Sequence, residues 1–197
     1  MSRQSMEPNR SVWAGRFIGL TFILGGVVWL ILTLLVLGNV LAGVGNFALG
    51  PASSRIVAGG GAGSWFTMGI LAYGLVAVGG MGLTALFYQQ IEGTLASSLN
   101  GWKSIGAWIH LVLGGLGSAG ASLLMAWGGF RAGAAFIATN LGGGGLNPMS
   151  GADIGYVHTN ILNPIVVPIA GLMGIALLGY LVGGLVLASA WLAARRK

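Results

Sequence analysis

The chain has 197 residues, 55% of them hydrophobic and only 6% charged, with a mean hydropathy of +0.88 and a formal net charge of +6. Soluble domains carry about a quarter charged residues, so this composition excludes an aqueous fold and makes lipid the expected solvent. The absence of cysteine excludes disulfides, thiolate metal sites and thioether-linked haem within the chain, and the basic residues are too scattered to form a nucleic-acid surface.

Residues 1–15 (MSRQSMEPNRSVWAG) read as a polar, basic tail. A first span is predicted at about 17–45, too far behind that tail and too long for a removed signal segment. About thirty helical residues reach roughly 45 Å, more than the hydrocarbon core, so this helix tilts or projects. The stretch 45–63, with Pro51, a serine pair and a glycine cluster, reads as a loop. A second span, about 65–90, carries aromatic residues near both ends, as an interfacial belt does. The segment IEGTLASSLNGWK is a polar connection to a third span at about 105–128, and a glycine-rich stretch over 129–152 follows it. The fourth span starts near Tyr156 or Thr159, covers about 159–192, and leaves the basic tail 195–197.

These segments predict an all-α integral membrane four-helix bundle, with residues 16–194 as one four-span domain. Four spans put both termini on one side. That side collects Arg3, Arg10, Arg16, Lys103, Arg195, Arg196 and Lys197, against Arg55 and Arg131 opposite. The bias of Lys and Arg toward the cytoplasm places both termini there, in a multi-pass protein of the cell membrane.

Glycine is the most unusual feature, at 38 of 197 residues. Lipid supplies no hydrophobic force between helices, so small residues promote association by letting backbones approach. Gly114, Ser118 and Ser122 share one face of the third span, Gly179 and Gly183 one face of the fourth, and Gly79 and Gly80 form a dense patch in the second. Four small helices have too little interior to absorb every such face, so at least one is expected to meet another chain.

Candidate chemistry is sparse. His110 and His158 are the only histidines, expected at opposite membrane depths, which rules against one bis-histidine haem inside a single copy. Each is a candidate ligand for a haem shared with another subunit; the simpler reading makes each a polar helix-end residue bonding to backbone or headgroups. Glu92, Gln89 and Tyr88 form a candidate quinone or proton contact at the edge of the second span, with Lys103 or His110 as partners for the carboxylate. Asp153 has a similar place on the opposite side. In GYVHTNILNPIVVP, residues 155–168, Pro164 and Pro168 each remove a helical hydrogen bond, predicting a helix that kinks there or begins only after them. Asn160 and Asn163 are placed to satisfy released carbonyls or to contact another helix. No zinc motif, nucleotide loop or nucleophile triad is present, so catalysis by the chain alone is not expected.

The run GLTALFYQQIEGTLASSLNGWKSIGAWIHLVLGGLGSAGASLLMAWGGFRAG, 82–133, resembles the later helices of haem-copper oxidase catalytic subunits and their nitric-oxide-reductase relatives. The matching elements are Phe87, Tyr88, Gly93, Trp108, His110, Gly128, Gly129 and Arg131. The resemblance implies a respiratory scaffold. It does not carry over the family's metal sites, which need several intramembrane histidines where this chain has two. The expected role is an accessory subunit of a membrane energy-converting complex, packed against other integral membrane subunits and lipids. It would hold no metal and no cofactor of its own, with haem b or quinone at a subunit interface as the variant. The alternatives are a haem- or quinone-binding electron-transfer subunit and a small channel or carrier.

Overall fold

A computed structural model describes residues 11–44, 61–140 and 154–195. They form four helices: α1 (Val12–Val44), α2 (61–94), α3 (102–140) and α4 (Ile154–Arg195). Each is long and apolar enough to cross a bilayer, and the chain is a multi-pass membrane protein. Asp153, Arg55 and the 142–145 glycine run lie outside the described residues.

Successive helices run antiparallel, and α3 is the axis of the bundle. Half of its most apolar window is buried, against 6% for α1. The seam between α3 and α4 is built on glycine in constant register. Gly106 faces Val186, Gly114 faces Gly179, Gly117 faces Ala176 and Gly128 faces Ile165. Gly106, Gly117 and Gly128 are eleven residues apart, and an 11-residue spacing, close to the helical repeat, keeps such positions on one nearly straight face. On the other side of α3, a Cβ on Gly69 would collide with the Ala126 backbone, and one on Gly129 with the backbone of Trp65 and Phe66. Main chains approach here as closely as side chains do elsewhere.

This packing explains why helical structure outruns the predicted spans. Gly129, where the glycine-rich stretch is expected to begin, is buried against α2, as Gly128 is against α4, and α3 continues to Asn140. The predicted tail is likewise shorter, because Trp13 and Ala14 are buried and α1 begins at Val12. The fourth helix begins at Ile154, before its prolines, rather than after them. A wider π-helical turn at His158–Leu162 precedes Pro164, and both prolines sit on the exposed face while Ile165 and Ile169 turn inward. Three further π turns, at Tyr73–Gly79, Gln90–Thr94 and His110–Gly114, re-aim side chains within α2 and α3.

Tryptophan pairs with arginine near both ends of the bundle, as expected of residues at the headgroup level. The Arg16 guanidinium lies 4.4 Å from the Trp13 ring and 4.8 Å from that of Trp108, Arg195 lies 3.8 Å from Trp191, and Arg131 lies 5.2 Å from Trp127. Along α3, Lys103 and Arg131 are about 42 Å apart at 1.5 Å per residue, matching a bilayer with its headgroup layers, about 40–45 Å. Below, the end bearing Arg16, Lys103 and Arg195 is called the tail end and the other the far end.

Candidate functional site

Side chains from all four helices converge on His110, at the π turn of α3. The imidazole is 3% exposed. Phe17 of α1 meets its edge at 5.1 Å between ring centroids, Tyr180 of α4 at 5.6 Å, and Tyr88 of α2 lies tilted at 6.0 Å. Phe17 and Tyr88 stack on one another at 4.7 Å. A Cβ on Gly183 would occupy the imidazole's own space, so that glycine is the cradle in α4 that admits the ring. The Tyr88 hydroxyl and His110 Nδ1 are 3.4 Å apart, while Nε2 is buried without a hydrogen-bond partner among the described residues.

His110 is therefore a core residue and not a helix-end group turned to headgroups. The π turn directs His110, Leu111 and Gly114 inward together, and the glycines at 114 and 183 leave room for the ring. His158 is exposed at the far end. His110 packs on Gly183, and the α4 path from His158 to Gly183 is about 37 Å at 1.5 Å per residue, so the two histidines cannot share one iron within a copy.

Glu92 is engaged by α1. Its carboxylate accepts the Ser11 hydroxyl and, at 2.9 Å, the Trp13 amide, while the Ser11 oxygen accepts the Ala14 amide at 3.2 Å. Amides in the first turn of a helix lack helical partners, and a carboxylate there also meets the positive end of the helix dipole. Glu92 is thus the cap that ties the start of α1 to the end of α2, and its partners are Ser11 and Trp13 where the sequence suggests Lys103 or His110. Gln89 is exposed beside the buried Tyr88.

The predicted packing residues divide. Gly114, Gly179 and Gly183 lie in the α3–α4 seam, and Gly80 admits the Tyr180 hydroxyl at 3.5 Å from where its Cβ would be. Ser118 donates to the Gly114 carbonyl at 2.7 Å and accepts from Tyr180 at 3.4 Å. Gly79 is exposed, and only its own helix lies near. Asn160 donates to the Tyr156 carbonyl at 3.2 Å, a bond within its own turn and not to a carbonyl freed by proline. Sequence reasoning missed Gly69, Gly106, Gly117, Gly128 and Gly129. The eleven-residue spacing was the available signal for three of these.

Toward the far end, the helices enclose a groove of about 160 Å³ lined by Val76 of α2, by Ser118, Ser122 and Met125 of α3, and by Met173 and Tyr180 of α4, among others. Tyr180 bridges its walls, donating to the Val76 carbonyl at 3.3 Å. Among the described residues, then, the molecule offers an enclosed imidazole and an apolar groove, with Tyr180 common to both. No family model, no curated protein and no solved structure matches the chain.

Proposed function

We propose that this protein is an accessory subunit of a larger complex in the cytoplasmic membrane, whose outer glycine faces receive helices of other integral membrane subunits. The observation that carries the reading is a set of glycines that meet no other helix among the described residues. Gly15, Gly19 and Gly26 of α1 and Gly171 and Gly174 of α4 are exposed, with open space where a Cβ would stand. Glycine weakens a helix by roughly 0.5–1 kcal/mol per residue relative to alanine. Against fluid lipid it brings no compensating contact, whereas against another helix it permits close approach. The inner glycines show that use, and the outer ones offer it on faces that no described residue of this chain covers.

The energy-converting character of the complex is supported by the oxidase-like stretch 82–133 alone. Both termini are assigned to the cytoplasm, in keeping with Arg16, Lys103 and Arg195 at the tail end against Arg131 at the far end. Haem or quinone, if present, belongs to an interface with a partner, where His158 is accessible and His110 is not.

Purification in mild detergent, with a visible spectrum and identification of co-purifying chains, tests the proposal. Defined membrane subunits are expected to co-purify and to be lost from Gly15→Leu/Gly19→Leu or Gly171→Leu/Gly174→Leu variants. A colourless, solitary, stable chain overturns it. Haem absorption lost on His158→Ala favours the electron-transfer reading, and solute flux through vesicles holding the chain alone favours the carrier.

A further inference from the structure

We infer that the groove between α2 and α4 seats one acyl chain of a far-leaflet lipid, with its terminal methyl group against Tyr180. Depth argues for this occupant. On α3 the groove runs from Ser118 to Met125. Ser118 lies about 23 Å along the helix from Lys103 and about 20 Å from Arg131, at the level of the bilayer centre. Met125 lies about 9 Å from Arg131, so the groove occupies the inner part of the leaflet on the far side. Headgroups and water do not reach that depth; the free ends of lipid chains do.

Chemistry points the same way. The Ser118 hydroxyl is turned back onto the Gly114 and Gly115 carbonyls, and the Tyr180 hydroxyl is engaged with Val76 and Ser118, so what the groove presents is hydrocarbon. A cavity of about 150 Å³ with apolar walls stays dry and takes apolar guests, and this one, about 160 Å³, adjoins a fluid made of such guests. Tyr180 crosses from α4 to α2 at the central end and closes that end, leaving a chain to enter from the far leaflet. Two methionines in the walls, Met125 and Met173, adapt to a guest with no fixed shape. The seated chain would fill the gap that the described residues leave between α2 and α4. The inference needs only that the protein spans the membrane, and stands whether or not another subunit docks on α1.

The full chain in nanodiscs is tested with two phosphatidylcholines, one with a photoactivatable diazirine at the acyl terminus and one with it near the glycerol, and with a diazirine-tagged isoprenoid quinone. The terminal probe is expected to label the peptides containing Tyr180 and Met173 more than the glycerol-proximal probe does. Val76→Trp and Met173→Trp fill the groove from positions that are 45% and 54% exposed, where added bulk does not strain the core. In each variant, labelling at Tyr180 should fall to the level of a lipid-facing peptide of α1, with unfolding temperature retained. Equal labelling by both lipid probes, labelling untouched by the filled variants, or preferential capture of the quinone overturns the inference. So does a cross-link showing a second protein chain in the groove in native membranes.

Discussion

The two halves of α3 solve the same problem in opposite ways. Near the tail end, four helices meet around bulky rings, with His110, Phe17, Tyr88 and Tyr180 filling the space between backbones. Near the far end, α2 lies on α3 through Gly69 and Gly129, where main chains touch and the Phe66 and Phe130 rings meet beside the contact. The first half is filled by ring volume seated on the Gly114–Gly179 contact and the Gly183 cradle, and the second depends on the missing side chains of Gly69 and Gly129. A ring core tolerates a new shape if volume is kept, because side chains can repack. A backbone contact has nothing to yield. The far half should therefore be the more sensitive to added atoms, and the tail half to removed ones.

The largest expected effect breaks the far half. Gly129→Leu forces α2 off α3 and should cost about 3 kcal/mol or more, since overpacking against main chain cannot be relieved by a rotamer change. Thermal unfolding in detergent, with disulfide trapping between engineered cysteines on α2 and α3, measures both stability and separation; wild-type behaviour would contradict the backbone contact. Next, His110→Ala removes the ring at the four-helix junction and should cost about 2–3 kcal/mol through the cavity left behind. The double variant His110→Leu/Tyr88→Phe keeps volume and removes both polar partners, so it should fall within about 1 kcal/mol of the parent. A double variant as damaged as His110→Ala would show that the imidazole does more than fill space.

A smaller effect is expected from Glu92→Gln. It keeps an acceptor for Ser11 and Trp13 but loses the charge facing the α1 terminus, costing about 0.5–1 kcal/mol and speeding amide exchange in the first turn of α1. Unchanged exchange would dissociate the cap from the carboxylate. The smallest effect sharpens the comparison by contrast. Gly174→Ala adds a methyl group into open space, and the purified chain should be unchanged or more stable by about 0.5 kcal/mol. A large loss of stability there would mean that α4 has a contact on its outer face within the chain itself.

How much was readable in advance follows from the range of each interaction. Spans were legible because burial in lipid is a property of local composition, and Trp65, Trp127 and Arg131 stand near the limits that a belt requires. Helix ends were less so. Whether a loop begins at Gly129 depends on Trp65 and Phe66, which approach only when α2 closes on α3. Glu92 looked like an interfacial carboxylate because its partners, Ser11 and Trp13, lie some eighty residues earlier. The site was least legible at His110. Its place in sequence, a few residues into the third span, says helix end; the π turn and the cradle of Gly183 make it core.

The sequence by itself determined the solvent, the number of crossings and the reliance on glycine, because transfer of uncharged runs into hydrocarbon needs no partner to be favourable. The tertiary structure alone decided which glycines close the bundle and which stay bare, which histidine is enclosed, and where a groove remains. Those outcomes depend on the register between helices distant in the chain, and register is fixed only when the surfaces meet.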